Sequence, residues 1–208
     1  MDTAQNITDK AAKVRCPLPD IASTKSKPGS VVIEGIRGHH QLERFSCGPA
    51  AVATVFRAYA GALDHEVWAT IAAATEAKPG GTPPGRVCAA LAELGIGHSV
   101  GWNEFGFDAL YPMLRAGDLI ITTLPMPRHV GSSRTHWVVI CGASPSGVMV
   151  LNHTRIPFFT KRWISWGEVA RRRDDPEEEE EMIRCKTGLT GWVADGTACV
   201  RSTLGDAR

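Results

Sequence analysis

The feature that most constrains the fold of this chain is the order of its apolar segments, with a helical pattern first and strand-like runs afterwards. Four apolar residues recur at the three- and four-residue spacing of one helical face: Val52, Val55, Phe56 and Tyr59. From Leu119 onwards the apolar runs are short, rich in β-branched residues and separated by turn residues. This order predicts an α+β fold, in which N-terminal helices pack on a C-terminal antiparallel sheet.

Helix boundary signals indicate three helices in the first half of the chain. The first helix is predicted to begin after Ser46, a favourable N-cap, and to end before Gly61. Further helices are predicted over residues 65–75 and 86–94. The Pro- and Gly-rich residues 78–85 form the loop between these two helices.

Strands are predicted wherever short β-rich runs lie between turn residues. They cover residues 31–33, 119–124, 137–141, 148–152 and 158–163. The Ser-Pro-Ser-Gly sequence at 144–147 is predicted to join two of these strands as a hairpin. Residues 166–173 are predicted to form one more short helix.

Length and periodicity divide the chain into one domain with two extensions. The 208 residues suffice for a single domain of ordinary size. Residues 1–30 show no periodic pattern and are predicted to form an extended N-terminal arm, whereas residues 31–173 carry the helices and strands of the domain. Residues 174–208 are charged and Gly-rich, and we expect them to form a C-terminal extension with weak strand character.

Charge and apolar patterning argue against nucleic-acid and membrane partners. The formal net charge is +1, and the two charged runs, at 171–173 and 177–181, are adjacent and opposite in sign. No apolar stretch reaches the roughly 20 residues that cross a bilayer, and the N-terminus lacks the apolar core of a secretory signal. We therefore expect the protein to be cytoplasmic, or to be secreted without a classical signal peptide.

The six cysteines do not have the spacing of a structural metal site. No Cys-x-x-Cys pair occurs among them, and the histidines also lack the spacing of a ligand set. We therefore expect neither a metal ion nor a cofactor. Most of the cysteines are predicted to be reduced and buried, with a disulfide between Cys185 and Cys199 as the alternative.

Cys47 is the best candidate for a catalytic nucleophile. It is predicted to be the first residue of a helix, where the helix dipole and the free backbone N–H groups lower the pKa of a thiol. The small residues that follow it, Gly48, Ala50 and Ala51, leave room for a substrate backbone. The structural alternative is an unreactive cysteine buried within the helix.

Three further residues are predicted to complete this site. A cysteine nucleophile requires a base, and His136 opens the strand-like run His-Trp-Val-Val-Ile. Asn152 ends the next strand, so a hairpin at 144–147 brings it beside His136, where its side-chain oxygen would orient the imidazole. Gln41 precedes the nucleophile by six residues, and its amide is predicted to stabilise an oxyanion together with the Cys47 backbone N–H.

The segment around Cys47 resembles the active-site segment of the bacteriocin-processing peptidases, which remove double-glycine leader peptides. The resemblance covers about residues 31–170 and rests on QLERFSCGPAA from Gln41, HWVV from His136 and VLN ending at Asn152. It implies a papain-like cysteine peptidase fold in which these residues form the active site. The family usually has Asp followed by Pro where this chain has Asn followed by His, and papain itself uses Asn in the orienting role.

The sequence therefore predicts a cysteine peptidase that cleaves a peptide or protein substrate through a thioester on Cys47, with His136 as general base. Its biological role is predicted to be that of a bacterial toxin or effector, or that of a peptide-maturation protease. Two alternatives keep the same fold. One is an acyltransferase or amidase that uses the same Cys-His pair, and the other is an inactive peptide-binding module.

Overall fold

Helices lead and strands follow in the computed structural model, which describes residues 29–43, 45–60, 62–101, 105–125, 135–152, 161–173 and 182–189. The elements in chain order are β1 (Val31–Val32), α1 (Cys47–Ala60), α2 (His65–Thr75), α3 (Pro84–Glu93), β2 (Ile96–Gly101), α4 (Phe107–Arg115), β3 (Leu119–Pro125), β4 (Thr135–Ser144), β5 (Gly147–Asn152), β6 (Lys161–Ser165), α5 (Trp166–Arg173) and β7 (Met182–Leu189). The predicted α+β class is confirmed.

A single antiparallel sheet of seven strands forms the second layer of the domain. Six strands are hydrogen-bonded in the order β2-β7-β3-β4-β5-β6, and β1 pairs with the far half of β4. Strand β3 pairs with β4 as far as Ile140, and β1 takes over beside Gly142 and Ala143. Strand β4 is therefore paired along most of its length on both edges, which fixes the position of any residue at its start.

The β4–β5 hairpin is the predicted turn at 144–147. Ser144 pairs with Gly147, and two residues connect the strands. A Cβ atom at Gly147 would collide with the backbone carbonyl oxygen of Ile164 on β6, so only glycine allows β5 and β6 to approach this closely. The register shifts once, between Ile140 and Gly142, which leaves one extra residue on β4.

Helix α1 is the central helix of the domain, since every residue except Arg57 and Ala58 is buried. The buried Tyr59 hydroxyl donates a hydrogen bond to the carbonyl oxygen of Cys185 at 2.8 Å and accepts one from the backbone N–H of Leu119 at 2.9 Å. This one side chain therefore connects α1 with both β3 and β7, and it holds the helix against the sheet.

Strand β7 extends the domain beyond the predicted boundary at residue 173. It lies between β2 and β3 in the sheet, and its Ile183 and Cys185 are fully buried. Arg184 forms an ion pair with the buried Asp118 at the start of β3, with Nε 2.6 Å from Oδ2. The segment assigned to a C-terminal extension thus supplies an interior strand, and the domain continues at least to Leu189.

The other sequence predictions agree with the described elements to different degrees. The second helix and the short helix at 166–173 have the predicted bounds, whereas β2 and α4 were not predicted. Cys185 is a free cysteine within this core strand. The arm at 1–30 lies outside the described residues except for its last two. No helix in the described parts of the chain is both long and apolar enough to span a bilayer.

Candidate active site

Cys47 is the first residue of α1, as predicted, and a tight turn delivers the chain into this helix. The backbone N–H of Ser46 donates to the carbonyl oxygen of Glu43 at 3.2 Å, and the Ser46 hydroxyl accepts from the Glu43 N–H at 2.9 Å. The Ser46 side chain therefore closes the turn before the helix. The backbone carbonyl oxygen of Ser46 accepts the first hydrogen bond of the helix, from the Ala50 N–H at 3.0 Å.

The thiol of Cys47 lies in a buried, electropositive backbone environment. Burial raises the pKa of Cys47, and hydrogen bonds from the backbone N–H groups of Trp137, Gly48 and Cys47 itself oppose this rise without cancelling it. The net direction is opposite to the lowered pKa that the sequence predicts. Only 6% of Cys47 is exposed, so the cost of removing a thiolate from water outweighs the stabilisation by the helix N-terminus.

His136 lies at the start of β4, one residue before Trp137, whose backbone is near the Cys47 thiol. It is the second residue of β4, it pairs with Leu124 of β3, and it is buried to 6% exposure. The backbone N–H of Trp137 lies near enough to the Cys47 thiol to lower its pKa, so the start of α1 lies against the start of β4. This arrangement brings positions 47 and 136, about ninety residues apart in sequence, to neighbouring segments of the fold, and the pairing of their side chains stays a prediction.

Asn152 is opposite Val138, two positions along β4 from His136. The extra residue in β4 produces this register, because an unshifted ladder would pair Asn152 with Val139. Residues two apart on a strand are in the same phase of the pleat, so the bulge brings position 152 into phase with position 136. Asn152 and His136 are thus diagonal neighbours on adjacent strands rather than a directly opposite pair. The orienting role of Asn152 stays a prediction.

Gln41 lies in the loop before α1 and carries a buried polar atom. Its Oε1 atom is inaccessible to solvent and has no hydrogen-bond partner among the described residues. Buried side-chain oxygens usually have a partner in native proteins. The oxyanion role predicted for Gln41 depends on its amide N–H group, on which the unpaired Oε1 atom has no bearing, so that role stays a prediction.

Thr82 is a residue of this site that sequence reasoning missed. A Cβ atom at Gly48 would lie 2.6 Å from both Cβ and Oγ1 of Thr82. The indole N–H of Trp137 donates to the Thr82 carbonyl oxygen at 2.8 Å. The available signal was its position in the Pro- and Gly-rich loop at 78–85, whose predicted role was only to join two helices.

An open cleft of about 350 Å³ lies beside the Thr82 loop. Its lining residues are Glu76, Lys78, Gly80, Gly81, Thr82, Pro83 and Arg86. Arg86 and Glu76 form an ion pair of 2.8 Å on its rim, and both side chains are about half exposed. Among the described residues, no group of three His, Cys, Asp or Glu side chains has a geometry that would hold a metal ion.

Known proteins resemble this chain in structure but not in sequence. No family model matches the chain, and no curated protein is significantly similar to it in sequence. The peptidase domain of Streptococcus ComA, a bifunctional ABC transporter of a quorum-sensing pathway, superimposes with a TM-score of 0.53. The identity is 14%, and the match covers 73% of this chain and 98% of that domain.

Two further solved peptidase structures have the same fold as this chain. A double-glycine-motif protease from an AMS/PCAT transporter, solved in complex with the leader peptide, matches with a TM-score of 0.51 and 16% identity over 73% of this chain and 91% of its own. A peptidase-like protein from Bacillus anthracis matches with a TM-score of 0.56 and 13% identity, over 77% of this chain and 98% of its own. The chain therefore has the α+β, papain-like fold of the peptidase domains of ComA and of double-glycine-motif proteases.

Proposed function

We propose that this protein is a cysteine peptidase in which Cys47 is the nucleophile and His136 the general base. The observation that carries this proposal is the junction of α1 and β4, where the backbone N–H of Trp137, the residue that follows His136, lies near enough to the Cys47 thiol to lower its pKa. Cys47 is also the first residue of α1, a position that a buried cysteine without a catalytic role does not require. The papain-like fold shared with known peptidase domains is consistent with this assignment.

The acylation step follows from the chemistry of these two side chains. His136 removes the thiol proton of Cys47 while the sulfur attacks the carbonyl carbon of a peptide bond. The resulting tetrahedral intermediate collapses when His136 gives this proton to the leaving amine. The C–N bond breaks, a C–S thioester remains on Cys47, and the first product leaves with a free amino group.

Two donors in the site are suited to stabilise the oxyanion of this intermediate. The backbone N–H of Cys47 is at the positive end of α1, and the Gln41 side-chain amide lies in the loop before it. Each such donor typically contributes about 3 kcal/mol of transition-state stabilisation. Water then attacks the thioester with His136 as base, which releases the acid product and regenerates the thiol.

The raised pKa of Cys47 has a consequence for this mechanism. Because burial favours the neutral thiol, we propose that deprotonation by His136 accompanies attack rather than preceding it. A substrate carbonyl in the oxyanion site adds charge stabilisation only once the sulfur has bonded to it. The enzyme therefore keeps a protected thiol at rest and generates nucleophilic sulfur in the presence of substrate.

A peptide is the substrate class that we propose. The double-glycine-motif protease of the same fold is solved with its leader peptide bound. In this chain an open cleft is lined by Thr82, whose side chain packs against Gly48, the residue after the proposed nucleophile. Two glycines on the rim of this cleft, Gly80 and Gly81, have open space where a side chain would lie.

Profiling of newly formed peptide termini tests this proposal directly. A proteome-derived peptide library is incubated with the wild type, Cys47→Ala and His136→Ala, with Cys88→Ala as the control for a half-buried cysteine outside the site. We expect cleavage by the wild type and the control, and none by the other two variants at unchanged melting temperature. Full cleavage by Cys47→Ala would falsify the assignment.

The same experiment separates hydrolysis from acyl transfer. Addition of a small primary amine gives amide-capped products if the thioester reacts with amines, and free carboxyl termini if water alone is the acceptor. We expect free carboxyl termini to dominate. A majority of amide-capped products would instead identify an acyltransferase that uses the same Cys47 thioester.

A further inference from the structure

We infer that Thr82 is a positioning residue that sets the separation between the nucleophile and the base, by contacting the start of α1 with its side chain and the start of β4 with its carbonyl oxygen. This inference rests on the proposed peptidase function and names a residue outside the predicted active-site set. Thr82 is neither the nucleophile nor the base. It lies between the two segments that carry them.

The first contact of Thr82 is with Gly48, the residue after the nucleophile. The place of a Gly48 side chain is occupied by the Thr82 side chain, with Cβ and Oγ1 at 2.6 Å and Cγ2 at 3.0 Å from the position of a Cβ atom. The first turn of α1 therefore rests directly on Thr82. Any movement of the Thr82 side chain changes the space available to the backbone that carries Cys47.

The second contact of Thr82 is with Trp137, the residue after the base. The indole N–H of Trp137 donates to the Thr82 carbonyl oxygen at 2.8 Å, and both residues are buried. Trp137 is also the residue whose backbone N–H lies near enough to the Cys47 thiol to lower its pKa. Its backbone thus contacts the nucleophile directly, and its side chain contacts the residue that supports the nucleophile's helix.

The loop that carries Thr82 is itself constrained on both sides. Before it, Lys78 and Gly81 exchange backbone hydrogen bonds of 2.7 and 3.3 Å, and Gly81 has a φ of 96° that favours glycine. After it, Pro83 is the N-cap of α3, and its carbonyl oxygen accepts from Arg86 at 3.0 Å. Because the backbone of Thr82 is held in place on both sides, Thr82 is suited to fix the distance between the start of α1 and the start of β4.

The Thr82 hydroxyl allows shape to be separated from hydrogen bonding. Its Oγ1 atom is buried and has no hydrogen-bond partner among the described residues. A positioning role based on packing requires only the branched shape of the side chain, and Val has this shape without the hydroxyl. Thr82→Val is therefore expected to preserve the site, whereas Thr82→Ala removes the two γ atoms that contact the Gly48 position.

Two readouts test the inference, one of which needs no substrate. The rate of Cys47 alkylation by iodoacetamide is measured from pH 6 to 11 by peptide-level mass spectrometry, and kcat and KM are measured for the most rapidly cleaved library peptide. The variants are Thr82→Ala, Thr82→Val and Trp137→Phe. Trp166→Phe is the matched control, because its indole donates to the Ser144 carbonyl oxygen at 2.9 Å at the opposite end of β4.

We expect Thr82→Ala and Trp137→Phe to lower kcat by about tenfold or more with little change in KM. Both should also raise the pH midpoint of Cys47 alkylation, because the backbone N–H of residue 137 is no longer held near the sulfur, where it opposes the effect of burial. Thr82→Val and Trp166→Phe should match the wild type in both respects. Global unfolding would give the opposite shift, towards the midpoint of an exposed thiol, so it is distinguishable.

Two results would overturn the inference. In one, Thr82→Ala and Trp137→Phe keep the wild-type alkylation profile. In the other, Thr82→Val is as impaired as Thr82→Ala, which would show that the hydroxyl acts chemically. Because alkylation requires no turnover, the inference is tested even if the wild type cleaves no peptide. That outcome would contradict only the proposed function.

Discussion

Substitution of Gly48 by alanine is the most direct perturbation of the proposed site. The added methyl group would lie 2.6 Å from Cβ and Oγ1 of Thr82, whereas carbon atoms pack at about 3.5–4.0 Å. The contact must therefore lengthen by roughly 1 Å. Overpacking of this kind costs about 1–3 kcal/mol of folding free energy, and we expect the upper part of this range because the Thr82 loop is constrained on both sides.

The catalytic effect of Gly48→Ala should exceed the effect on stability. A displacement of about 1 Å between reacting groups lowers the rate by about 100-fold, and the residue before Gly48 is the proposed nucleophile. The assay combines urea denaturation, which gives the free energy of unfolding, with peptide turnover and Cys47 alkylation. Gly85→Ala in α3 is the control, since nothing lies within 4 Å of its added methyl group.

A double-mutant cycle attributes the loss to the contact with Thr82. Thr82→Gly removes all three atoms that would collide with an alanine at position 48. We expect the double variant to lose much less stability than the sum of the two single variants, with a favourable coupling of about 2 kcal/mol. If Gly48→Ala changes stability by less than about 0.5 kcal/mol and leaves turnover unchanged, the close packing argument is refuted.

Three further outcomes are expected from other parts of the structure. Tyr59→Phe should lower the unfolding free energy by about 2–3 kcal/mol without shifting the Cys47 alkylation profile, because it leaves the Leu119 N–H and Cys185 carbonyl groups unpaired. Gly147→Ala should cost about 3 kcal/mol in urea denaturation, since its methyl group meets the backbone of β6. Burial raises the pKa of Cys141 to about 11. The unfolded chain therefore releases this proton first, and Cys141 should contribute a loss of stability of about 2–3 kcal/mol between about pH 9 and about pH 11. The buried Cys185, whose pKa is also raised, contributes a loss of its own, so the total fall in Cys141→Ala should be smaller by the Cys141 contribution alone.

The helices and the hairpin were predictable because their signals are local. The helix at 65–75 has Asp64 as an N-cap, whose carboxylate accepts from the Val67 N–H at 2.9 Å, and a capping residue is visible in any sequence. The 144–147 turn is likewise visible in its turn residues. The antiparallel pairing of β4 and β5 follows from that turn, so local signals also predicted part of the sheet.

Strand β7 was not predictable, since its place depends on partners distant in sequence. Residues 182–189 follow a charged run and contain polar residues that suggest an extension. Their pairing with β2 and β3 buries Ile183 and Cys185. The Asp118–Arg184 ion pair and the Tyr59 bond to Cys185 bring polar partners to this strand, and no local pattern in the sequence predicts either contact.

The candidate site shows the same division between local and distant information. Cys47 at a helix start follows from Ser46 and the helical pattern after it, and His136 at a strand start follows from the apolar run that it opens. The bulge near Cys141, which brings Asn152 into phase with His136, leaves no signal that the hydrophobic pattern reveals. Thr82 also escaped detection, because its role depends on two segments that only the folded chain brings together.

The burial of the proposed nucleophile, Cys47, and the close packing around it have a common physical cause. The Cys47 thiol lies at the junction of two buried elements, so it lacks the solvation that would favour a thiolate. In the same place, however, three backbone N–H groups have fixed positions around the sulfur, and fixed donors stabilise developing charge without reorganisation. In this site the resting Cys47 thiol is less reactive, but the groups around its sulfur have well-defined positions. Its activity should therefore be unusually sensitive to substitutions such as Gly48→Ala that displace atoms without removing any reactive group.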